Sequence, residues 1–153
     1  MEAGLMRTAI RHAGGADLGA VEALETATFS LDRLSRRSLK YFLTVPTATV
    51  LLAETGRVLD GYCLTAFRKG SKIARLYSIA IAAHAAGKGL GRVLLAACEA
   101  DAQARGARVM RLEVRPDNAA AIRLYQGMGY VQFGRIEDYY EDDTAALRFE
   151  KGL

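Results

Sequence analysis

The segment Ala86-Gly87-Lys88-Gly89-Leu90-Gly91-Arg92 sets three glycines at alternate positions. It follows an apolar run, Leu76 to Ala82, and precedes a stretch, Leu90 to Arg105, with Leu94, Leu95, Ala97 and Cys98 on one face of a 3.6-residue period. A strand, a glycine turn and a helix in that order bring backbone N–H groups into one concavity, where the helix N-terminus adds about half a positive charge. Such a site suits an anion, a pyrophosphate in particular. Arg92 falls in the first helical turn, where a cation opposes the helix dipole unless an anion is near; a turn whose glycines serve only close packing is the alternative. The spacing is not that of the dinucleotide fingerprint, whose third glycine falls one position further on, and no Gly-Lys-Ser or Gly-Lys-Thr closes it, which disfavours NAD and ATP.

Around this turn the chain alternates strands and helices. Met6 to Ile10 predicts a first strand, and Asp17 is placed to cap a helix with Leu18, Val21, Leu24 and Thr28 on one face. A second helix is expected over Asp32 to Leu43, limited by Pro46. Thr49 to Glu54 and Val58 to Arg68, joined by a turn around Thr55 and Gly56, predict an antiparallel hairpin, and Lys72 to Ala82 another strand. After the long helix, ended by Gly106, come a strand over Arg108 to Val114 and a helix capped by Asp117 or Asn118 and closed by Gly127 and Gly129. Two strands, about Tyr130 to Glu137 and Ala145 to Lys151, end the sheet. No internal repeat, linker or low-complexity tract interrupts the order.

A chain of 153 residues fits one domain, 1–153. The longest apolar stretches fall far short of the roughly 20 residues that cross a bilayer, and Met1 to Ala13 has no continuous apolar segment of a secretory signal, so the expected location is the cytoplasm with no membrane partner. Cys63 and Cys98 sit among apolar neighbours and read as small buried hydrophobes rather than a disulfide framework. The net charge of +4 is spread along the chain and interleaved with acids, which argues against nucleic acid as a partner and is compatible with a polyphosphate cofactor. Neither His12 nor His84 lies in a metal-ligand spacing, so no metal is expected, and Cys98 on an inner helix face is a poor covalent nucleophile.

The stretch Ser78-Ile79-Ala80-Ile81 through Gly87-Lys88-Gly89-Leu90-Gly91-Arg92-Val93-Leu94-Leu95 resembles the acetyl-CoA motif of the GNAT superfamily. Leu112-Glu113-Val114-Arg115, Asn118-Ala119-Ala120-Ala121-Ile122, Leu124-Tyr125 and Gly129-Tyr130 are similar to the bacterial ribosomal-protein-alanine N-acetyltransferases, and the likeness covers about residues 72–150. It implies an α/β fold with a mostly antiparallel twisted sheet of about six or seven strands flanked by about four helices. It implies direct transfer of acetyl from acetyl-CoA to a primary amine, with a protein N-terminus as acceptor; a small amine and a non-catalytic acetyl-CoA sensor are the alternatives. By the resemblance, the backbone groups of Ile79, Ala80 and Ile81 face the acetyl and pantetheine portions, Gly87, Lys88, Gly89, Leu90, Gly91 and Arg92 wrap the pyrophosphate, and Asn118 touches the pantetheine arm. The chain departs from the family pattern at Ala86, where Gln or Arg is usual, in lacking a proline after the strand, and in having no Trp. Weaker cofactor affinity is the expected consequence at Ala86, since the grip is mostly by backbone N–H.

The chemistry needs a group to take the amine proton and one to protonate the leaving thiolate. Glu113 lies in an apolar strand, where an unpaired carboxylate is costly and burial favours taking up a proton; the alternative is a surface carboxylate paired with Arg111 or Arg115. Tyr125 lies seven residues beyond Asn118, two helical turns on and on roughly the same side. By itself it reads as core packing; the resemblance places Glu113 at the family's base position and Tyr125 at its acid. A backbone N–H near Ile81 is the expected oxyanion donor. Tyr139, Tyr140, Glu141, Asp142 and Asp143 form an acidic aromatic loop that either closes over the amine and attracts its charge or is a solvated turn. Exposed edge strands at the C-terminal end would allow a homodimer.

Overall fold

A twisted sheet of seven strands in the order β1-β2-β3-β4-β5-β7-β6 carries the structure, a computed structural model that describes residues 7–153. In chain order the elements are β1 (Thr8–His12), α1 (Leu18–Thr28), α2 (Arg36–Thr44), β2 (Ala48–Thr55), β3 (Val58–Phe67), β4 (Ile73–Ile81), α3 (Leu90–Ala104), β5 (Val109–Val114), α4 (Ala119–Gly127), β6 (Val131–Ile136) and β7 (Ala146–Gly152). Met6, expected to begin the first strand, lies outside the described residues. All neighbouring strands run antiparallel except β4 and β5, which are parallel. This is the mixed, mostly antiparallel α/β architecture that the sequence implies.

Alternation along the strands divides the core in two, because successive side chains point to opposite faces. Leu51 and Ala53 of β2 and Cys63 of β3 pack with Leu94, Leu95 and Cys98 of α3 on one face. Val50, Leu52, Tyr62 and Leu64 pack with Leu18, Val21 and Leu24 of α1 and Leu39 of α2 on the other. Gly106, at φ +94°, ends α3, and Gly129, at φ +96°, follows α4; both are left-handed positions where a Cβ is costly.

Four local expectations are corrected. Asp17 stands just before α1 but does not cap it: its carboxylate accepts from Gly14 N (2.8 Å) and from Arg11 (2.7 and 3.0 Å), closing the short turn Gly15–Asp17 instead. Thr28 is exposed, and Glu25 is the inward residue of that turn. The second helix begins at Arg36 rather than Asp32, because Asp32 adopts φ +56° and Ser35 caps the helix by accepting from Ser38 N at 3.1 Å. Cys63 and Cys98 are buried as expected but joined by a disulfide, with their Cα atoms 7.0 Å apart. The packing of α3 across β3 brings together two cysteines 35 residues apart, a proximity that their spacing does not announce.

Gly61 marks the closest approach in this packing. A Cβ there would lie 2.9 Å from Ile81 Cδ1 and 3.0 Å from the backbone oxygen of Ala80. Because one of those neighbours is backbone, Gly61→Ala is expected to destabilise the fold by about 1–3 kcal/mol, read as a lowered urea midpoint with an unchanged slope.

Candidate active site

The pairing of β4 with β5 is short. Ile73, Ala74 and Arg75 pair with Val109, Met110 and Arg111, and no pair follows although β4 continues to Ile81 and β5 to Val114. The strands therefore diverge, and the β4 edge at Ile79, Ala80 and Ile81 is left without a partner on that side. The register between β3 and β4 also slips: Leu64 faces Ser78 while Thr65 faces Leu76, so Tyr77 is the extra residue of a bulge. Before the bulge, Ala74 and Leu76 point toward α3; after it, Ser78 and Ala80 point toward α1, with Ile79 and Ile81 now on the α3 side.

A cavity of about 170 Å³ fills the opening. Ser78 and Ile79 line it from β4, Glu113 and Val114 from β5, and Asn118, Ala121 and Tyr125 from α4. The resemblance's two catalytic positions and its pantetheine residue thus share one chamber. Asn118 Oδ1 accepts from Ala121 N at 3.2 Å as the helix cap, which leaves its amide nitrogen free to donate. Ala80 is 1% exposed within the α1 and α2 core, so only its backbone can face the cleft.

Glu113 is not the unpaired carboxylate that its strand position suggests, nor is it paired with Arg111 or Arg115. It receives hydrogen bonds from Arg75, across β4, and from Arg148 Nε of β7 at 3.2 Å. Arg111 binds Glu150 instead, at 2.9 Å. The partners come from neighbouring strands because Arg75, Glu113 and Arg148 project from the same face of the sheet. The Tyr125 phenol is buried, 5.8 Å ring to ring from Tyr130, and burial first, then the nearby Tyr140, raises its pKa. It therefore remains protonated at neutral pH.

At the other end of the cleft the glycine turn has the geometry an anion site needs. Gly87 and Gly89 adopt φ +77° and +76°, and a Cβ at either would meet nothing within 4 Å. Gly91 lies in the first turn of α3, where its missing side chain would touch Leu124 of α4 at 3.5 Å. Among the described residues, no backbone or side-chain acceptor takes a hydrogen bond from the N–H groups of Gly87, Lys88, Gly89, Leu90, Gly91 or Arg92. Lys88 is exposed and Leu90 half-buried against the core. Arg92, however, has an explanation within the protein: its guanidinium donates to Gly127 O at 3.2 Å, the carbonyl end of α4. Its position in the first turn does not by itself require an anion.

Two features that sequence reasoning missed complete the site. Glu25, 2% exposed, accepts from Tyr62 Oη, from Ser78 Oγ at 2.9 Å and from Leu34 N at 2.8 Å, tying α1, both central strands and the segment before α2 to the cavity wall. Its place one turn after Val21 was the available signal. Arg115 is the second. It donates to Asp32 at 2.7 Å and to both oxygens of Asp142 at 2.9 and 3.1 Å, and its guanidinium lies 4.4 Å over the Tyr140 ring. It thereby bridges the segment before α2 to the β6–β7 loop, and holds the Asp142 carboxyl down at about 2. Of that loop's acids, Asp142 is engaged with Arg115, while Glu141 and Asp143 are exposed with no side-chain ion pair among the described residues. Tyr139 Oη accepts from Arg75 at 2.9 Å, and Tyr140 lines the cavity.

A cleft between parted parallel strands, with a glycine turn at one end and a carboxylate and a phenol in its wall, defines an acyltransferase. The chain belongs to the Acetyltransferase (GNAT) family, whose sequence model matches residues 18–130. It is 30% identical over 139 residues to an uncharacterized N-acetyltransferase of Methanocaldococcus jannaschii, covering 90% of this chain and 87% of that one. It is 39% identical over 67 residues to the ribosomal protein bS18-alanine N-acetyltransferase of Escherichia coli, a match that spans 44% of this chain and 45% of that enzyme. The fold superposes on the NatC complex bound to Gag peptide and CoA with a TM-score of 0.83 at 19% identity, covering 97% of this chain and 99% of that one. No helix among the described residues is long and apolar enough to cross a membrane.

Three buried phenols give the fold a pH dependence with a definite sign. Tyr62, Tyr125 and Tyr130 all have raised pKa values, in each case through burial first, then through Glu25 for Tyr62, Tyr140 for Tyr125 and Glu99 for Tyr130. The folded protein keeps protons that the unfolded chain releases near pH 10, so this contribution is complete below about pH 10 and is lost as pH rises toward the raised values. The urea midpoint is expected to stay level to about pH 9 and to fall above about pH 10, with a shallower fall in Tyr125→Phe.

Proposed function

We propose that the protein moves an acetyl group directly from acetyl-CoA to the α-amino group of a protein N-terminus. The observation that carries the reading is the single chamber shared by Glu113, Tyr125 and the unpaired edge of β4. The names of the relatives agree with it: one is a ribosomal protein bS18-alanine N-acetyltransferase, and the NatC complex is bound to a Gag peptide and CoA.

The free N–H groups from Gly87 to Arg92 grip the pyrophosphate, aided by the α3 N-terminus and the charge of Lys88. The unpaired β4 edge from Ile79 to Ile81 and the Asn118 amide hold the pantetheine arm, and a backbone N–H of that edge stabilises the thioester oxygen as negative charge develops there. Acetyl-CoA supplies the activated acyl group. As the amine nitrogen bonds to the carbonyl carbon, its proton passes to Glu113, directly or through one water, and the carbon–sulfur bond breaks as Tyr125 gives its proton to the departing thiolate. Arg75 and Arg148 hold the Glu113 carboxylate in place. The acceptor arrives on the side where Tyr77, which is exposed, and Glu113 line both this chamber and the neighbouring opening, because Arg115 bridges Asp32 to Asp142 on the other lip. That same bridge narrows the chamber and is the one observation that favours a small amine as acceptor.

The test is CoA release by the purified protein from acetyl-CoA with N-terminal peptides, polyamines and aminoglycosides as acceptors. Turnover is expected with peptides. Glu113→Gln is expected to lower kcat/KM about 100-fold and Tyr125→Phe about 10-fold or more; unchanged turnover in the double variant contradicts the assigned roles. Rate should rise with pH as the α-amino group deprotonates near pH 8, with no falling limb below about pH 10, since the Tyr125 phenol stays protonated. Gly89→Val, placed where φ is +76°, is expected to raise KM for acetyl-CoA more than it lowers kcat.

A further inference from the structure

The helices α1 and α2 cover the sheet only over β2, β3 and the far part of β4; no residue of β5, β6 or β7 enters their core. On the same face the remaining half of the sheet is open. It holds a second cavity, of about 280 Å³, which shares Tyr77 and Glu113 with the first and is also lined by Phe67, Arg68, Arg75, Arg111 and Arg148. The register explains the composition: Arg75 pairs with Arg111 across β4 and β5, and Glu113 with Arg148 across β5 and β7, so alternate positions put all four on this face.

The charges there do not cancel. Against the guanidiniums of Arg68, Arg75, Arg111 and Arg148 stand Glu113, shared by Arg75 and Arg148, and Glu150, bound to Arg111. Arg68 is exposed and its side chain has no hydrogen bond or ion pair with any described residue. The guanidiniums are also held. Arg111 and Arg148 both lie on the Phe133 ring, at 4.8 and 4.7 Å, and Arg75 lies on Tyr77 at 5.1 Å. Stacking fixes the plane of each fork and leaves its edge for a planar anion, the arrangement that suits two-point binding of a carboxylate. Side-chain exposures of 39% for Arg75, 33% for Arg111 and 31% for Arg148 keep those edges within reach of solvent.

We infer that this groove selects acceptors with an acidic residue close behind the reactive N-terminus. The inference rests on the proposed role of Glu113 as the point where the amine arrives. From there the groove follows β5 backward to Arg111, two residues away, or about 7 Å at strand spacing. An extended peptide covers that distance in two residues, which sets the side chain of its second or third residue among the arginines. The same field repels polyamines. None of the acids of the Tyr139–Asp143 loop lines this groove, where four arginines face one carboxylate, Glu113, so the charge that lines it is positive.

The experiment compares peptides identical except for Glu, Gln or Lys at the second and third positions. Expected is a kcat/KM at least about tenfold higher for Glu than for Gln and lower still for Lys, carried by KM rather than kcat and weakened by added salt. Arg68→Glu, at an exposed site where folding is not at stake, is expected to cut the Glu-to-Lys ratio at least about tenfold. Calorimetric binding of the N-acetylated peptides, with CoA present, reads the groove without turnover, and the Glu product should bind at least about tenfold tighter than the Gln product. Equal kcat/KM for the three peptides, or a ratio untouched by Arg68→Glu, overturns the inference and leaves N-terminal acetylation standing. Turnover of a small amino acid but not of its amide, with no peptide acetylated, overturns the N-terminal reading while the choice of a carboxylate stands. Equal binding of the Glu and Gln products overturns the groove whatever the turnover.

Discussion

The parting of β4 from β5 is the constraint on which the rest of the molecule depends. A parallel pair that stays paired would bury its edge groups in hydrogen bonds; here the pairing stops at Arg75 and Arg111, and β4 runs on with one edge free. The bulge at Tyr77 makes the divergence useful, because it turns Ile79 toward α3 and Ser78 toward α1 at the level where the cavity opens. The α3 helix then fills one side of the wedge and α4 its mouth. The position of the glycine turn, at the end of the free edge, follows from the same geometry.

The polar groups of the site are arranged as connected pairs rather than as isolated charges. Glu25 holds three donors from three elements, so the wall of the chamber is braced by a carboxylate that is itself fully engaged. Arg115 does the reverse, one cation serving Asp32 and Asp142, and its effect is to join two loops distant in sequence. Glu113 sits between Arg75 and Arg148, which orient it. Such pairing costs less than burying lone charges, and it gives each functional group one well-defined position.

Much of the architecture was legible along the chain. The hairpin of β2 and β3, the long α3 between Leu90 and Gly106, and the Asn118 cap of α4 follow from periodicity and from capping rules that act over a few residues. The failures were also local in origin but distant in cause. Asp17 has the right residue type for a cap, yet Arg11 and Gly14 hold its carboxylate. The second helix starts late because Asp32 turns away to meet Arg115, a partner 83 residues on. Arg92 looked like a cation waiting for an anion until the end of α4 was in place beside it.

By itself the sequence determined the order of strands and helices and the glycine turn at the head of α3. These rest on backbone preferences and side-chain periods that neighbouring residues settle among themselves. Only the tertiary structure decided what each charge faces: that Glu113 meets Arg75 and Arg148, that Cys63 meets Cys98, and that four arginines share one open face of the sheet. Those relations depend on strand order and register, which bring together residues far apart in the chain, and no local pattern records them.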